Sequence, residues 1–191
     1  SLNEHNEARR IPEIVSRITS GECVALVPDA GMPTVSDPGQ RLVHAVVKAG
    51  LTVEVLPGPS SVLTALVGSG LPVMPFYFGG FLPHKKGARG TELAAAIRRD
   101  CTSVYFESPY RIVSTLELLA AMAPGHPVVV ARELTKRFEE FQRGSAAVVF
   151  QHFAARVPKG EITLVIAPHE LPKWASGVEG KGEDLPLGTL S

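Results

Sequence analysis

The chain has 191 residues, 45% of them hydrophobic and 20% charged, with 19 basic residues balancing 19 acidic ones. That is the composition of a globular chain with enough apolar mass for one larger core or two smaller ones. No apolar run approaches the ~20 residues of a membrane helix, and the opening SLNEHNEARR has neither the charged nor the apolar region of a secretory signal. Zero net charge argues against indiscriminate coating of nucleic acid, because phosphate neutralisation supplies most of that affinity.

The first element predicted is a helix over NEARRIPEIVSRITSG, with Ile11, Ile14, Val15 and Ile18 on one face, Pro12 in its first turn and Gly21 ending it. ECVALV follows as a buried strand. VPDAGMPTVSDPG, residues 27–39, packs three Pro, two Gly and two Asp into a rigid loop. Asp37 is predicted as the N-cap and Pro38 as the first residue of a helix that buries Leu42, Val43, Val46 and Val47 and stops at Gly50. LTVEVL is a second strand, and SSVLTALVGSGL a helix with Ser60 as its cap.

LPVMPFYFGGFLP breaks the rhythm and is read as a crossing between lobes, with FYFGGF opening the second. A basic run at 84–99 contains Lys85, Lys86, Arg89, Arg98 and Arg99 against Glu92 alone, a pattern usual for a solvated face. A helix from Thr91 to about Arg99, the strand SVYFE, and a helix capped by Ser108 with Pro109 behind it come next. That last helix buries Ile112, Val113, Leu116 and Leu119. PVVVARE, EEFQRGSAAVVF and EITLVIA read as strands, the last ones with no room for a crossover helix and therefore antiparallel. The Gly-rich tail reads as mobile. The expected organisation is a lobe over residues 1–75, a lobe over 76–170 and a tail over 171–191. Cys23 and Cys101 lack metal-ligand spacing and read as reduced thiols, hence a cytoplasmic location.

In open α/β sheets ligands gather beyond the carboxyl ends of the strands. The polar motifs PDAGMP, PGPSS, ESPYR and RELTK each follow a predicted strand, so four loops can converge on one cleft. Walker, dinucleotide-binding, zinc-protease and nucleophile-elbow patterns are all absent. Gly- and Pro-rich loops with short polar groups (Asp29, Thr34, Ser36, Ser60, Ser61) suit a zwitterionic, partly apolar small molecule held through backbone groups. Ser36-Asp37-Pro38 reads better as a helix cap than as a ligand contact, and Ser60 and Ser108 read equally as either. Glu107 and Glu133, at strand ends, face the cleft.

VPDAGMPTVSDPGQRLV, LPGPSSVLTAL, FLPHKKGAR, YFESPYRIVSTL and ARELTKRFEEFQRG, in that order, resemble the ribosomal RNA small subunit methyltransferase I group, a branch of the tetrapyrrole methylase fold. The resemblance runs from about Asn3 to Ala167. It implies an α/β, two-lobed tetrapyrrole-methylase-like fold, with a mainly parallel sheet in the first lobe and a mixed sheet with helices in the second. It implies S-adenosylmethionine as methyl donor, 2′-O-methylation of a cytidine of 16S rRNA, and a homodimer. By similarity, Asp29, Gly31, Met32, Pro33, Val35, Ser60, Ser61 and Phe106 contact the donor, with Glu107 beside Phe106. Arg132, Glu133, Thr135 and Lys136 match the signature placed beside the substrate ribose. Glu133 or Glu107 is expected to orient or deprotonate the hydroxyl and Lys136 to stabilise developing charge, without a metal. Lys85, Lys86, Arg89, Arg132, Thr135 and Arg137 are expected to meet 16S rRNA or the small ribosomal subunit. Pro28 and Met32 stand where the family pattern has Ser and Thr. The family also opens with a strand and a G-T-P-I-G-N-L-type turn ahead of the region matched here, a strand expected to lie centrally in the first lobe. Two other readings keep the same residues: methylation of a tetrapyrrole, and a non-catalytic RNA-binding or dimerisation module.

Overall fold

A computed structural model describes residues 1–175, so most of the predicted tail lies outside the described residues. The chain divides into two compact units, Ser1–Ser61 and Val62 onward. The boundary falls earlier than 75/76 because the helix after Ser60 packs its Val62, Ala65 and Leu66 onto the second unit's sheet.

The first unit holds α1 (Glu7–Thr19) and α2 (Gln40–Lys48). Ile14 of α1 and Leu42 and Val46 of α2 form its small core, with Ile11, Val15 and Ile18 partly buried around them. Three of its expectations are corrected. Pro12 lies inside α1, a turn beyond the start, because an Asn3 turn begins the winding earlier. Asp37 and Pro38 precede α2, whose N-cap is Gly39 at φ 123°, and Val47 is exposed. The cap of α2 is instead Glu7, whose Oε1 accepts from Gly39, Arg41 and Leu42 N–H groups at 3.1–3.3 Å. A carboxylate at a helix N-terminus meets both the unpaired amides and the positive end of the dipole.

The larger correction concerns the sheet of the first lobe. ECVALV and LTVEVL are not strands in the described residues. A strand exists only through its ladder of inter-strand hydrogen bonds, and neither segment has one here. Val27, Val55 and Leu56 are accordingly exposed.

The second unit carries α3 (Ser61–Ser69), β1 (Phe76–Phe81), α4 (Lys86–Ile97), β2 (Thr102–Glu107), α5 (Ile112–Met122), β3 (Pro127–Arg132), β4 (Glu140–Ser145), α6 (Ala146–Ala155) and β5 (Ile162–Ile166). The sheet order is β1-β2-β5-β3-β4, with β1 and β2 parallel and every other pair antiparallel. Strands β2, β3 and β5 are covered on both faces, which is why their sequences are nearly continuous apolar runs. Side chains alternate with period two. Tyr105, Val128, Val130, Ile162, Leu164 and Ile166 pack under α4, α5 and α6. Val104, Val129, Ala131 and Val165 pack under α3. Each fully buried Val, Leu or Ile contributes roughly 1.5–3 kcal/mol against the entropy of ordering.

Three boundaries differ from expectation. Helix α4 begins at Lys86 rather than Thr91, and its buried stripe is Arg89, Leu93 and Ala96. The predicted strand from Glu139 to Phe150 becomes β4 and then α6. Ser145 caps the helix by accepting from Val148 N–H at 3.4 Å, and Ala146, Val149 and Phe153 repeat at helical spacing. Its β-branched pair Val148–Val149 imitates a strand, but tertiary burial at period 3.6 outweighs so weak a propensity. Ser108 and Pro109 sit in a turn ahead of α5, with the Arg111 and Ile112 N–H groups both donating to Ser108 O.

Candidate active site

In the first unit, the two loops expected to wall the donor site touch. A Cβ at Gly31 (φ +74°) would stand 3.4 Å from Pro59 O, and one at Gly58 3.1 Å from Met32 Sδ. Backbone meets backbone at Gly31, and at Gly58 the Met32 side chain takes the space beside the missing Cβ. Thr34 and Ser36 hold positive φ values of 69° and 65°, which keeps the loop tightly folded back. Asp29 and Pro33 line an open cavity of about 370 Å³ with Val24, Leu26 and Val27. Gly31 and Val35 are exposed, as is Ser61, the first residue of α3. The cavity is lined chiefly by apolar side chains with Arg10 and Arg17, while the exposed main chain and short polar groups of the two loops are of the kind that suits a small zwitterion.

In the second unit, sheet register lines up one edge. Phe81 pairs with Phe106; Glu107 and Arg132 both pair with Ile162; Arg132 pairs with Glu140. The carboxyl ends of β1, β2 and β3 therefore lie side by side, β3 two strand spacings (~10 Å) from β2. Glu107, Glu133 and the 84–86 loop share this edge.

The turn after β3 is the most constrained part of it. Glu133 and Thr135 both have positive φ, at 51° and 63°. Non-glycine residues there are uncommon and persist only where surroundings enforce them. The enforcement is visible. Glu133 N–H donates to Glu161 O, and Glu133 Oε1 accepts from Glu161 N–H at 3.0 Å. Thr135 N–H donates to Glu139 Oε2 at 2.6 Å. Lys136 Nζ lies 2.9 Å from Glu133 Oε1 and 3.1 Å from Glu161 Oε2. The Lys136 ammonium, followed by the Glu161 N–H, holds the Glu133 carboxyl below its ordinary value. Glu133 and then Glu161 raise the Lys136 pKa in turn. Glu133 is thus a hydrogen-bond acceptor rather than a strong base, and Lys136 a permanent cation. Sequence reasoning missed Gly160 and Glu161. A Cβ at Gly160 would overlap the Glu133 carboxylate. The only signal was a glycine at a strand entrance, which marks close approach.

Other expected residues sit differently. Glu107 is 2% exposed and fully engaged: Oε1 accepts from Ser108 N–H at 2.7 Å and pairs with Arg111 Nη2 at 2.6 Å, while Oε2 accepts from Thr115 Oγ1 at 2.7 Å. It fixes the β2–α5 turn and has no oxygen to spare for a substrate. Phe106 packs edge-on against Phe78 and Phe81. Arg89 is buried, donating to His84 O and Ser114 Oγ, so it does not meet RNA from the surface. Arg132 is committed to Glu140 Oε2 at 2.9 Å and Lys159 O at 3.1 Å. Burial pushes the Glu140 carboxyl up, but Arg132 and His152 outweigh it and hold it low. Lys85, Lys86 and Arg137 are exposed and in no ion pair among the described residues. No cluster of three or more His, Cys, Asp or Glu suited to a metal occurs among the described residues. None of the described helices is long and apolar enough to cross a membrane.

A two-faced mixed sheet with strand-end loops built on Gly, Pro and acidic turns defines the class: the chain belongs to the Tetrapyrrole (Corrin/Porphyrin) Methylases family, whose model matches residues 1–149. Within that class its sequence is similar to Ribosomal RNA small subunit methyltransferase I of Thermotoga maritima, 41% identical over 170 residues, 89% of this chain and 76% of the relative. It is similar also to the protein of that name from Streptococcus pyogenes serotype M3, 42% identical over 167 residues, 87% of this chain. The chain spans 58% of the length of that relative and of several others it matches. Among solved structures, diphthine synthase superposes with a TM-score of 0.70 at 16% identity, covering 91% of this chain and 70% of that one. Uroporphyrin-III C-methyl transferase from Thermus thermophilus, complexed with S-adenyl homocysteine, gives 0.54 at 19% identity, covering 84% and 73%.

Proposed function

We propose that this chain provides the donor-binding loops and the substrate-side turn of an S-adenosylmethionine-dependent methyltransferase acting on the ribose 2′-hydroxyl of a cytidine in 16S rRNA. The observation that carries it is the Glu133–Lys136–Glu161 constellation, locked on a positive-φ turn at a strand's carboxyl end, in a chain whose curated relatives are named rRNA methyltransferases. Gly31, Met32, Pro33 and Val35, with Asp29, Ser60 and Ser61, would hold the donor through the backbone.

Bound S-adenosylmethionine supplies a methyl group on a sulfonium, which departs as a neutral thioether. The protein's task is to hold the acceptor oxygen in line and to favour its negative charge as the O–C bond forms. Glu133, kept ionised, accepts the hydroxyl hydrogen bond and sets its direction. Lys136, kept protonated, faces the developing oxyanion, and the released proton passes to solvent. The enzyme is cytoplasmic and works as a homodimer on the rRNA or the small subunit, with Lys85, Lys86 and Arg137 on its phosphates.

The test separates donor binding from turnover. Lys136→Ala should lower kcat roughly 10²–10³-fold while calorimetric affinity for S-adenosylmethionine stays within twofold of the parent. Glu133→Ala should behave alike. Unchanged turnover in both variants would remove the assignment.

A further inference from the structure

The edge that presents Glu133 and Lys136 also presents aromatic rings that neither catalysis nor the core uses. Tyr110, in the turn after β2, is 95% exposed; Phe138, in the turn after β3, is 64% exposed; Phe81, the last residue of β1, is 58% exposed. Burying such rings would be favourable, yet three successive strand ends leave them in water. Phe81 is half fixed by its edge contact with Phe106, ring centroids 5.4 Å apart. The Tyr110 turn is fixed below: Tyr110 N–H donates to Ser108 Oγ at 3.3 Å and Arg111 Nη1 to Leu82 O at 3.3 Å. The Leu82 contact ties the β2 turn to the loop that carries Lys85 and leads into α4 at Lys86.

Cations alternate with these rings. Lys85 and Lys86 follow Phe81, and the Arg137 guanidinium stands 5.6 Å from the Phe138 ring centroid. From β1 to β3 is three strand spacings, ~14 Å. That matches about four stacked nucleotides at roughly 3.4 Å each. Exposed aromatics interleaved with unpaired cations over such a length are what unpaired nucleotides require: rings for the bases, cations for the phosphates. A duplex hides its base faces and would use only the cations.

We infer that the strand-end row Phe81–Tyr110–Phe138 is a base-stacking platform, so that the substrate class is RNA whose nucleotides beside the methylated ribose are unpaired. This inference rests on the rRNA reading above and adds the state of the RNA to it.

The test uses a fluorescein-labelled, roughly 12-nucleotide oligoribonucleotide, unpaired or annealed to its complement, with anisotropy followed as salt rises. The protein should prefer the unpaired strand. Tyr110→Ala and Phe138→Ala should each weaken that strand ~5-fold or more, leave the duplex unchanged and leave the salt slope unaltered. Tyr110→Phe should restore binding, since it restores the ring. Thermal melting should match the parent, because so exposed a side chain supports little of the fold. Equal binding by the alanine variants, with salt-dependent RNA binding intact, would overturn the platform and leave the rRNA reading standing. Absence of any salt-sensitive RNA binding by the parent would overturn both.

Discussion

Glu133 and Gly160 are a matched pair, because the carboxylate occupies the space a side chain at 160 would need. Gly160→Ala, at φ +89°, should push Glu133 off its bonds to Glu161 and Lys136. A displacement of about 1 Å at a reacting group costs on the order of 10²-fold in rate. Kinetics should show that loss in kcat, with donor affinity kept; a parent-like kcat would mean the carboxylate does not orient the hydroxyl. Glu7 supports a different prediction. It is buried, and its one oxygen serves three amides of α2. Glu7→Ala should cost about 1.5–3 kcal/mol, the range for hydrogen bonds to a charged group, read as a shifted denaturation midpoint. Neither Gly160 nor Glu7 stood out in the sequence. A carboxylate 32 residues from the amides it caps leaves no local pattern, whereas Lys136, three residues from Glu133, does.

At the scale of elements, legibility followed burial. PVVVAR and ITLVI were readable as strands because both faces are covered and the apolar run is nearly continuous. ECVALV and LTVEVL carry the same signal without the same outcome. Apolar composition reports a tendency to be buried, while pairing needs a partner that the segment itself does not encode. The α6 boundary was hidden because Val148 and Val149 suit either element until Ser145 is seen to cap a helix. Ser145→Ala should cost ~1 kcal/mol, measurable in thermal unfolding. The start of β3 is tied to the end of β5 by His126 Nε2, 3.0 Å from Ala167 O. Burial lowers its pKa below the ordinary 6.5. The folded state thus favours neutral imidazole, so this stabilisation is complete above 6.5 and is lost as pH falls through the lowered value. Melting temperatures from pH 7 downward should fall more steeply for the parent than for His126→Asn.

At the scale of the molecule, zero net charge means that the proposed RNA affinity would have to come from local placement rather than from the overall field. The second unit's strand-end edge gathers Lys85, Lys86 and Arg137, in no ion pair among the described residues, while Arg89 and Arg132, expected beside them, serve the fold instead. Lys85→Ala with Lys86→Ala should flatten the salt dependence of RNA binding by up to about two counterions, and an unchanged slope would place the phosphates elsewhere. The most direct test of the account is methyl transfer itself. The protein, given methyl-labelled S-adenosylmethionine and small ribosomal subunits whose 16S rRNA lacks the modification, should label the RNA at one cytidine and leave its 3′ linkage resistant to alkali, as a blocked 2′-hydroxyl requires. Label on the base, or on an added porphyrinoid while the RNA stays unlabelled, would contradict it.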